Sequence, residues 1–421
     1  MNIEALLNDS IAENLSQRFC NYVKQHTTSS QQNADNGVQP STERQRLFAQ
    51  NLQAELAKIG ISDCYISEHS YLCARLPATQ GFENAPSICF LAHLDTVEEV
   101  SGENVQPQLH PNYDLKPIRL NGDLSIDPKN DLCLAKLAGD TIITSDGSTL
   151  LGADDKAGVA EIVTALETLQ KNAQSHGQIE VIFSPDEETG HGMDNVPLDW
   201  IQSEICYTLD GGEAGEIEME CFNAYKAEIS FFGQAKHTGT ARPDMVNALT
   251  MAANFVCMLP RHQAPETTDK RQGFFAPMEI SGSIENAKLV IYLRDFDRAG
   301  MQKRIQTVEQ IARTIEATFE GGKCMATISC QYLNMKEKIE KNPAVTEKLV
   351  QAVKMCGMEP VFMPIRGGTD GSRLTELGLP CPNIFTGGHN FHSRKEWASL
   401  SQMVLATRTV LNLIELYKTE S

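Results

Sequence analysis

The sequence predicts an α/β protein: one discontinuous domain with a mostly parallel mixed sheet flanked by helices, and an α+β domain inserted into it. Three observations predict this. Short apolar runs such as SICFLAHLD and IEVIFS alternate with helical segments and empty into polar residues, as parallel strands covered by helices do. The stretch 215–334 carries its own β-α-β-β-α-β order, which suits one antiparallel sheet with two helices on one face. Alternating α/β character then resumes to the C-terminus. The expected boundaries are 1–214, 215–334 and 335–421, with the polar segments GGEAGE and MKEKIEKNP suited to the crossings.

The elements follow in order. Residues 10–30 and 41–59 have helical spacing; in the second, Leu47, Phe48, Leu52, Leu56 and Ile59 recur at three- and four-residue intervals, and Ser41 or Thr42 is placed to cap it before Glu43. The polar SSQQNADNGVQPS between them reads as a loop, having nothing to bury. Strands are expected over 71–76 and 87–91. The Pro-, Asn-, Asp- and Gly-rich stretch 101–150 reads as hairpins and loops beyond the main sheet. A helix over 157–169 and strands over 178–184 and 204–209 follow. In the insertion, strands are expected over 222–232, 276–284, 288–296 and 323–333, with helices over 245–258 and 298–319. A helix over 343–355, a short strand over 361–364, a strand end at Ile384–Phe385 and an amphipathic helix over 400–417 close the chain.

Composition narrows the function. Acidic side chains outnumber basic ones by 55 to 36, a formal charge of −19, which disfavours broad contact with nucleic acid or an anionic membrane. The N-terminal MNIEALLNDSIAENL lacks a signal-peptide pattern, and no apolar run has the length of a spanning helix, so a soluble, cytoplasmic protein is expected. Twelve scattered cysteines without a CxxC pair suit reduced core thiols.

Five segments carry acids or histidines where apolar strands are expected to end. In LAHLDTV, His93 and Asp95 are two apart, so on extended backbone they point the same way; an imidazole ligand oriented by a carboxylate uses this, and so does a plain polar strand end. In GADDKAGVA, Asp154 and Asp155 open a helix and could simply cap it. In FSPDEETGHG, Asp186, Glu187 and Glu188 are three consecutive carboxylates, relieved by water, a cation or divergent directions. Asp210 in YTLDGGEAGE and the pair His389 and His392 in FTGGHNFHSRKEW complete the set, each also compatible with a turn. Open α/β sheets bind ligands at the carboxyl ends of their strands. Two imidazoles with several carboxylates make a borderline N/O donor set suited to Zn²⁺, Co²⁺ or Mn²⁺, with acids enough for two ions sharing a bridge. HExxH, GxGxxG, Walker and GxSxG motifs are absent from the sequence.

Together with AKHTGTARPDMVNA and RGGTDGSRLTELGLPCPNIFTGGHNFHSRKEW, these segments resemble, in order and over nearly the whole chain, the M20 family of two-zinc metallopeptidases, and within it the aminotripeptidase branch. The resemblance implies a metal-dependent aminopeptidase of peptide catabolism, with two divalent ions, zinc or else Co or Mn. It implies His93 and Asp210 on one metal, His392 and Glu188 on the other, and Asp154 bridging both, followed by a cis peptide to Asp155. Glu187 corresponds to the general base and Asp95 to the acid that steadies His93. A metal-bridging hydroxide would attack the first peptide carbonyl, Glu187 taking its proton and passing it to the departing amine.

For substrate length, the resemblance points to Arg294 in the inserted lid and Arg373 in GGTDGSR as captors of the peptide's C-terminal carboxylate, where a guanidinium fork outperforms a lysine. Pairing with Asp295, Asp297 or Asp370 is the competing reading. His237 corresponds to a family histidine that reaches the reaction centre on domain closure, in several relatives from the partner subunit, and Asn247 to a polar substrate contact. The chain departs from the family pattern in having Thr238, not proline, after His237, and His389 where a tyrosine is usual nearby. The expected partners are tripeptides with free termini, and a homodimer through the inserted domain. Other M20-type reactions (dipeptidase, carboxypeptidase, N-acyl amino acid hydrolase) and a non-catalytic peptide-binding homologue stand as alternatives.

Overall fold

The computed structural model describes residues 2–418, in two compact units. The first runs to Met219 and takes in Glu337–Met363 and everything described from Thr369 onward; the second is Glu220–Lys336 with Pro364–Gly368.

An eight-stranded mixed sheet organises the first unit. Its strands lie in the order Cys64–Ile66, Leu72–Leu76, Ile179–Ser184, Ile88–His93, Cys206–Gly211, Asn383–Phe385, Glu216–Cys221 and Val361–Ile365. The strands at its centre, from Ile179–Ser184 to Asn383–Phe385, are mutually parallel, and antiparallel pairs flank them. Side-chain alternation divides the sheet into two buried faces. Phe90, Val181, Phe183 and Leu209 face a large cluster with the helices Ala12–Val23, Glu43–Lys58, Ala153–Lys171, Pro343–Met355 and Leu400–Tyr417. Cys89, Leu91, Ile182 and Cys206 face a smaller cluster with Met193, Leu374 and Cys381. Among the described residues, no cysteine is joined in a disulfide.

The expected excursion of hairpins at 101–150 is present and joins the C-terminal block. Gly388–His389, Trp397–Ser399, Ile142–Thr144 and Gln108–His110 form a second sheet in that order. Trp397 lies opposite Thr144 and Ser399 opposite Ile142, which carries residues 389–396 to the loop before helix Ala153–Lys171.

Three local readings change. The polar segment after residue 28 contains a short helix, Gln31–Asp35, capped by Ser30. Gly212–Gly215 leads straight into a strand of the main sheet, Glu216–Cys221, that periodicity did not reveal. Thr42 occupies the N-cap position of helix Glu43–Lys58, yet its hydroxyl donates to the Thr28 carbonyl at 2.9 Å, and Ser41 is bound elsewhere.

The second unit is a four-stranded antiparallel sheet, ordered Phe274–Gly282, Asn286–Asp295, Asn223–Phe232, Lys323–Tyr332. Ala227, Ile229, Phe231, Leu289, Ile291 and Leu293 bury one face under helices Ala248–Met258 and Arg298–Thr318. Lys226, Glu228, Lys288, Tyr292 and Arg294 alternate onto the other, where Glu228 binds Lys288 at 2.9 Å. Among the described residues, no helix is long and apolar enough to cross a membrane.

Candidate metal centre

Strand Ile88–His93 delivers His93 at its carboxyl end, buried to 2% exposure. Cys206–Gly211, beside it in the sheet, delivers Asp210. His93 Nε2 stands 2.7 Å from Asp154 Oδ1 and 3.7 Å from Asp210 Oδ1. On the other oxygen of the same carboxylate, Asp154 Oδ2 lies 3.2 Å from His392 Nε2, which also meets Glu188 Oε2 at 3.1 Å. Two groups result, His93–Asp154–Asp210 and Asp154–Glu188–His392, each with its candidate ligand atoms within 4.8 Å of one another. Asp154 belongs to both.

One expectation about placement changes. Asp154 does not end a strand of the main sheet; it opens the helix Ala153–Lys171, after a loop from the small sheet. The adjacent acids divide their labour. Asp155 accepts the Gly158 N–H at 3.2 Å and the His93 N–H at 3.0 Å, acting as the local cap, while Asp154, in non-helical backbone, turns both oxygens to the histidines. The Asp154–Asp155 peptide is cis.

The three consecutive carboxylates also diverge. Asp186, in the left-handed region at φ 60°, points back to the N-terminal segment, accepting from the Ser41 N–H and hydroxyl and from Gln45 Nε2. Its own N–H donates to Gln45 Oε1 at 2.9 Å. The next two N–H groups, of Glu187 and Glu188, donate to Asp95 at 3.0 and 3.1 Å. Asp186 is thereby turned away from the two acids that follow it.

The electrostatics describe a site built for cations. Burial and the charge of Asp154 push Glu188 up to about 8 and Asp210 up to about 6. Burial raises Glu187 strongly, with Asp210, Asp370 and Glu188 adding repulsion. Hydrogen bonds to Asp154 and Glu188 lift His392 to about 11. Burial alone would raise Asp154, but His392 and His93 hold it far below the usual carboxylate range. Two buried atoms at the centre lack hydrogen-bond partners, Glu188 Oε1 and His93 Nδ1; the latter touches Asp95 Oδ1 at 3.3 Å without hydrogen-bond geometry. An orphaned carboxylate oxygen, converging carboxylates and two imidazoles fit a pair of divalent ions of the Zn²⁺, Co²⁺ or Mn²⁺ class.

The remaining sequence candidates lie elsewhere. Arg373, on helix Asp370–Leu377, pairs with Glu376, and Asp370 instead accepts the Ser184 hydroxyl at 2.5 Å. In the second unit, Arg294 donates to the carbonyls of Tyr225 and Leu293 and lies over the rings of Tyr292 and Tyr332 at 4.8 and 5.8 Å. It pairs with neither Asp295, which binds Arg304 at 2.9 Å, nor Asp297, which caps the helix Arg298–Thr318. His237 is exposed, its Nδ1 accepting the Gly239 N–H. Asn247 caps helix Ala248–Met258 through its carbonyl oxygen. His389 joins neither group: it stacks on Trp397 with ring centroids 4.0 Å apart and meets Gln402 Oε1 at 3.2 Å.

Sequence reasoning missed Glu396 and Asp186 as supports of the site. Glu396 is fully buried and burial pushes it up to about 7, although four backbone N–H groups of residues 151–154 point at it. Its one trace in the sequence is an acid immediately before the apolar start of EWASL.

Comparisons with known proteins agree with this geometry. A family model described as peptidase family M20/M25/M40 matches residues 150–416. The chain is 42% identical over 402 residues to the Peptidase T of Clostridium perfringens, covering 95% of this chain and 98% of that one. It is likewise 42% identical over 409 residues to the Peptidase T of Listeria welshimeri, covering 96% and 99%. In fold it is similar to the crystal structures of an aminopeptidase from Bacillus cereus, at TM-score 0.74, 21% identity and coverage of 97% and 99%, and a tripeptidase from Staphylococcus aureus, at 0.76, 20% and the same coverage. With carboxylate–imidazole groups able to hold two divalent ions, the chain belongs to the M20 peptidases, in their peptidase T branch, and is a metal-dependent peptidase.

Proposed function

We propose that the protein is an aminopeptidase that releases the N-terminal residue of tripeptides. The observation that carries the reading is Asp154, whose two oxygens face two different histidines, in a chain 42% identical to curated Peptidase T proteins. In this reading His93 and Asp210 would hold one ion, His392 and Glu188 the second, with Asp154 shared between the two groups. Zinc pairs of this kind lower the pKa of a water and polarise a carbonyl when bound.

The chain's own residues do the rest. Glu187 takes a proton from the attacking water and returns it to the departing amine nitrogen. Asp95 orients the His93 ring through Nδ1 and fixes the backbone that carries Glu187.

Arg294 is the substrate-carboxylate captor that the second unit favours, because it is a half-buried guanidinium without an acidic partner among the described residues. Arg373 serves the same end only after exchanging Glu376 for substrate. His237, with Nε2 left as a donor, and Asn247, through its side-chain N–H groups, are further substrate contacts.

Hydrolysis of a tripeptide compared with its N-acetylated and C-amidated forms tests the reading. The free peptide should be cut far faster than either. Equal cleavage of the N-acetylated form would make the protein a different M20 hydrolase.

Two further features belong to the same reading. The edge strand Phe274–Gly282 exposes Met278 and Ile280, which supports a homodimer paired along that edge. Light scattering on the wild type and on Ile280→Lys checks it. Cysteines held as thiols support residence in a reducing cytoplasm.

A further inference from the structure

Glu396 makes an unusual set of contacts for a side chain outside both ligand groups. Oε2 accepts the N–H groups of Leu151 and Gly152 at 2.7 and 2.8 Å, and Oε1 those of Ala153 and Asp154 at 2.7 and 3.2 Å. One carboxylate thus receives four consecutive backbone donors, all within the turn that presents Asp154. Gly152, at φ 85°, supplies the left-handed step that lets neighbouring N–H groups converge on one anion. Glu396 is 1% exposed, so water does not compete for its oxygens. It lies four residues after His392 and directly before strand Trp397–Ser399, whose pairing with Ile142–Thr144 fixes its position.

These contacts tie the two ligand groups mechanically. The segment 392–396 carries a candidate ligand of one group at its start and, at its end, the anchor of the carboxylate that both groups share. We propose that Glu396 is a positioning residue for the metal pair: it holds the 151–154 turn so that Asp154 turns one oxygen to each histidine, where it would serve both ligand groups. Removing it therefore weakens both sites together, where losing His392 or Asp210 weakens one. The proposal rests on the reading of Asp154 as the shared ligand.

The test is titration of Zn²⁺ and Co²⁺ against a competing chelator on the purified full-length protein, with the cobalt visible spectrum and the melting temperature of the metal-free protein recorded alongside. Glu396→Gln keeps the shape but leaves one acceptor oxygen for four donors. The expected result is a loss of about 10- to 100-fold in affinity at both sites together, the range seen when groups that orient ligands are removed, and an altered cobalt spectrum. Should that variant not fold, Glu396→Asp, which retains the charge one methylene short, is expected to show the same paired loss.

Asp140→Asn is the structural comparator. Asp140 is a second buried carboxylate, bound to Ser399 at 2.5 Å and Ser401 at 2.7 Å, and has no hydrogen bond to the 151–154 turn among the described residues. It should lower the metal-free melting temperature without changing metal affinity. Two wild-type affinities in the Glu396 variants, or an equal loss in Asp140→Asn, would overturn the proposal. Asp154→Asn separates the layers. If it keeps both ions, the shared-ligand reading fails; if it loses both while the Glu396 variants lose neither, only the role of Glu396 fails.

Discussion

Asp95 binds the backbone N–H of Glu187 at 3.0 Å through Oδ1, the same oxygen that touches Nδ1 of His93 at 3.3 Å. One buried carboxylate therefore stands against a candidate metal ligand and fixes the loop of the candidate base. Its second oxygen takes the Glu188 N–H at 3.1 Å, so the loop is held at two successive residues. Asp95→Asn leaves a single acceptor for these partners. It should reduce affinity for the ion on His93 by about 10- to 100-fold and lower kcat as well. Metal titration with steady-state kinetics checks both; a kcat loss at unchanged metal affinity would assign Asp95 to the Glu187 loop alone.

Glu187→Gln removes the proton acceptor and nearly preserves shape. Its kcat should fall by about 10²- to 10⁴-fold while the protein still binds two ions. Elemental analysis beside turnover is the check, and loss of an ion in proportion to activity would make Glu187 a ligand.

Asp186 touches neither histidine, yet its bonds to Ser41 and Gln45 pin the turn that precedes Glu187. Asp186→Ala leaves buried donors unsatisfied and should cost about 1–3 kcal/mol in urea unfolding. Because the turn also sets the direction of Glu187, turnover should drop by more than metal affinity does. Unchanged stability would show that the tether carries no net energy.

Arg294→Gln should raise KM for a free tripeptide by about tenfold or more, as loss of a charge-assisted hydrogen bond of about 1.5–3 kcal/mol requires. The C-amidated peptide, which has no carboxylate to offer, should hardly respond. Arg294→Lys should restore little, because a point charge does not reproduce the fork. Parallel effects on both substrates would place Arg294 in the structure of its own unit.

Away from the site, burial alone would raise Glu167, but hydrogen bonds from Lys171, Arg18 and Asn14 hold it at about 2, against an ordinary value of 4.5. A depressed folded pKa means that this contribution to stability is complete above about pH 4.5 and is lost as pH falls toward 2. Glu167→Gln should flatten the decline in unfolding free energy across that window. An unchanged slope there would mean that the network with Arg18 does not set acid stability.

The sequence was most informative where chemistry is written in residue type and spacing. His93 with Asp95 and the acids at 154, 187, 188 and 210 stand out because charged groups next to apolar strands are costly unless something binds them. It was least informative where one residue type serves two purposes. Asp154 and Asp155 are the same residue in adjacent positions, told apart in sequence only by the family resemblance; the structure adds that Asp155 bonds the Gly158 and His93 N–H groups while Asp154 faces the histidines. Arg294 and Arg373 looked alike in sequence; the first has no acidic partner among the described residues, and the second is engaged by Glu376 one helical turn away. The strand Glu216–Cys221 escaped notice because its alternating glutamates resemble a polar linker until Ile217 and Glu218 pair with Asn383–Phe385.

By itself, then, the sequence determined the α/β class with its inserted antiparallel unit, the family resemblance and the candidate ligands, because periodicity and side-chain chemistry are local properties. Tertiary structure alone decided that Asp186 turns away from its neighbours, and that Glu396 binds a turn more than 240 residues earlier in the chain. The reason is that a buried carboxylate is defined by the donors packed around its oxygens. For Glu396 those donors are backbone N–H groups, which every residue except proline carries, so no residue type marks them in advance.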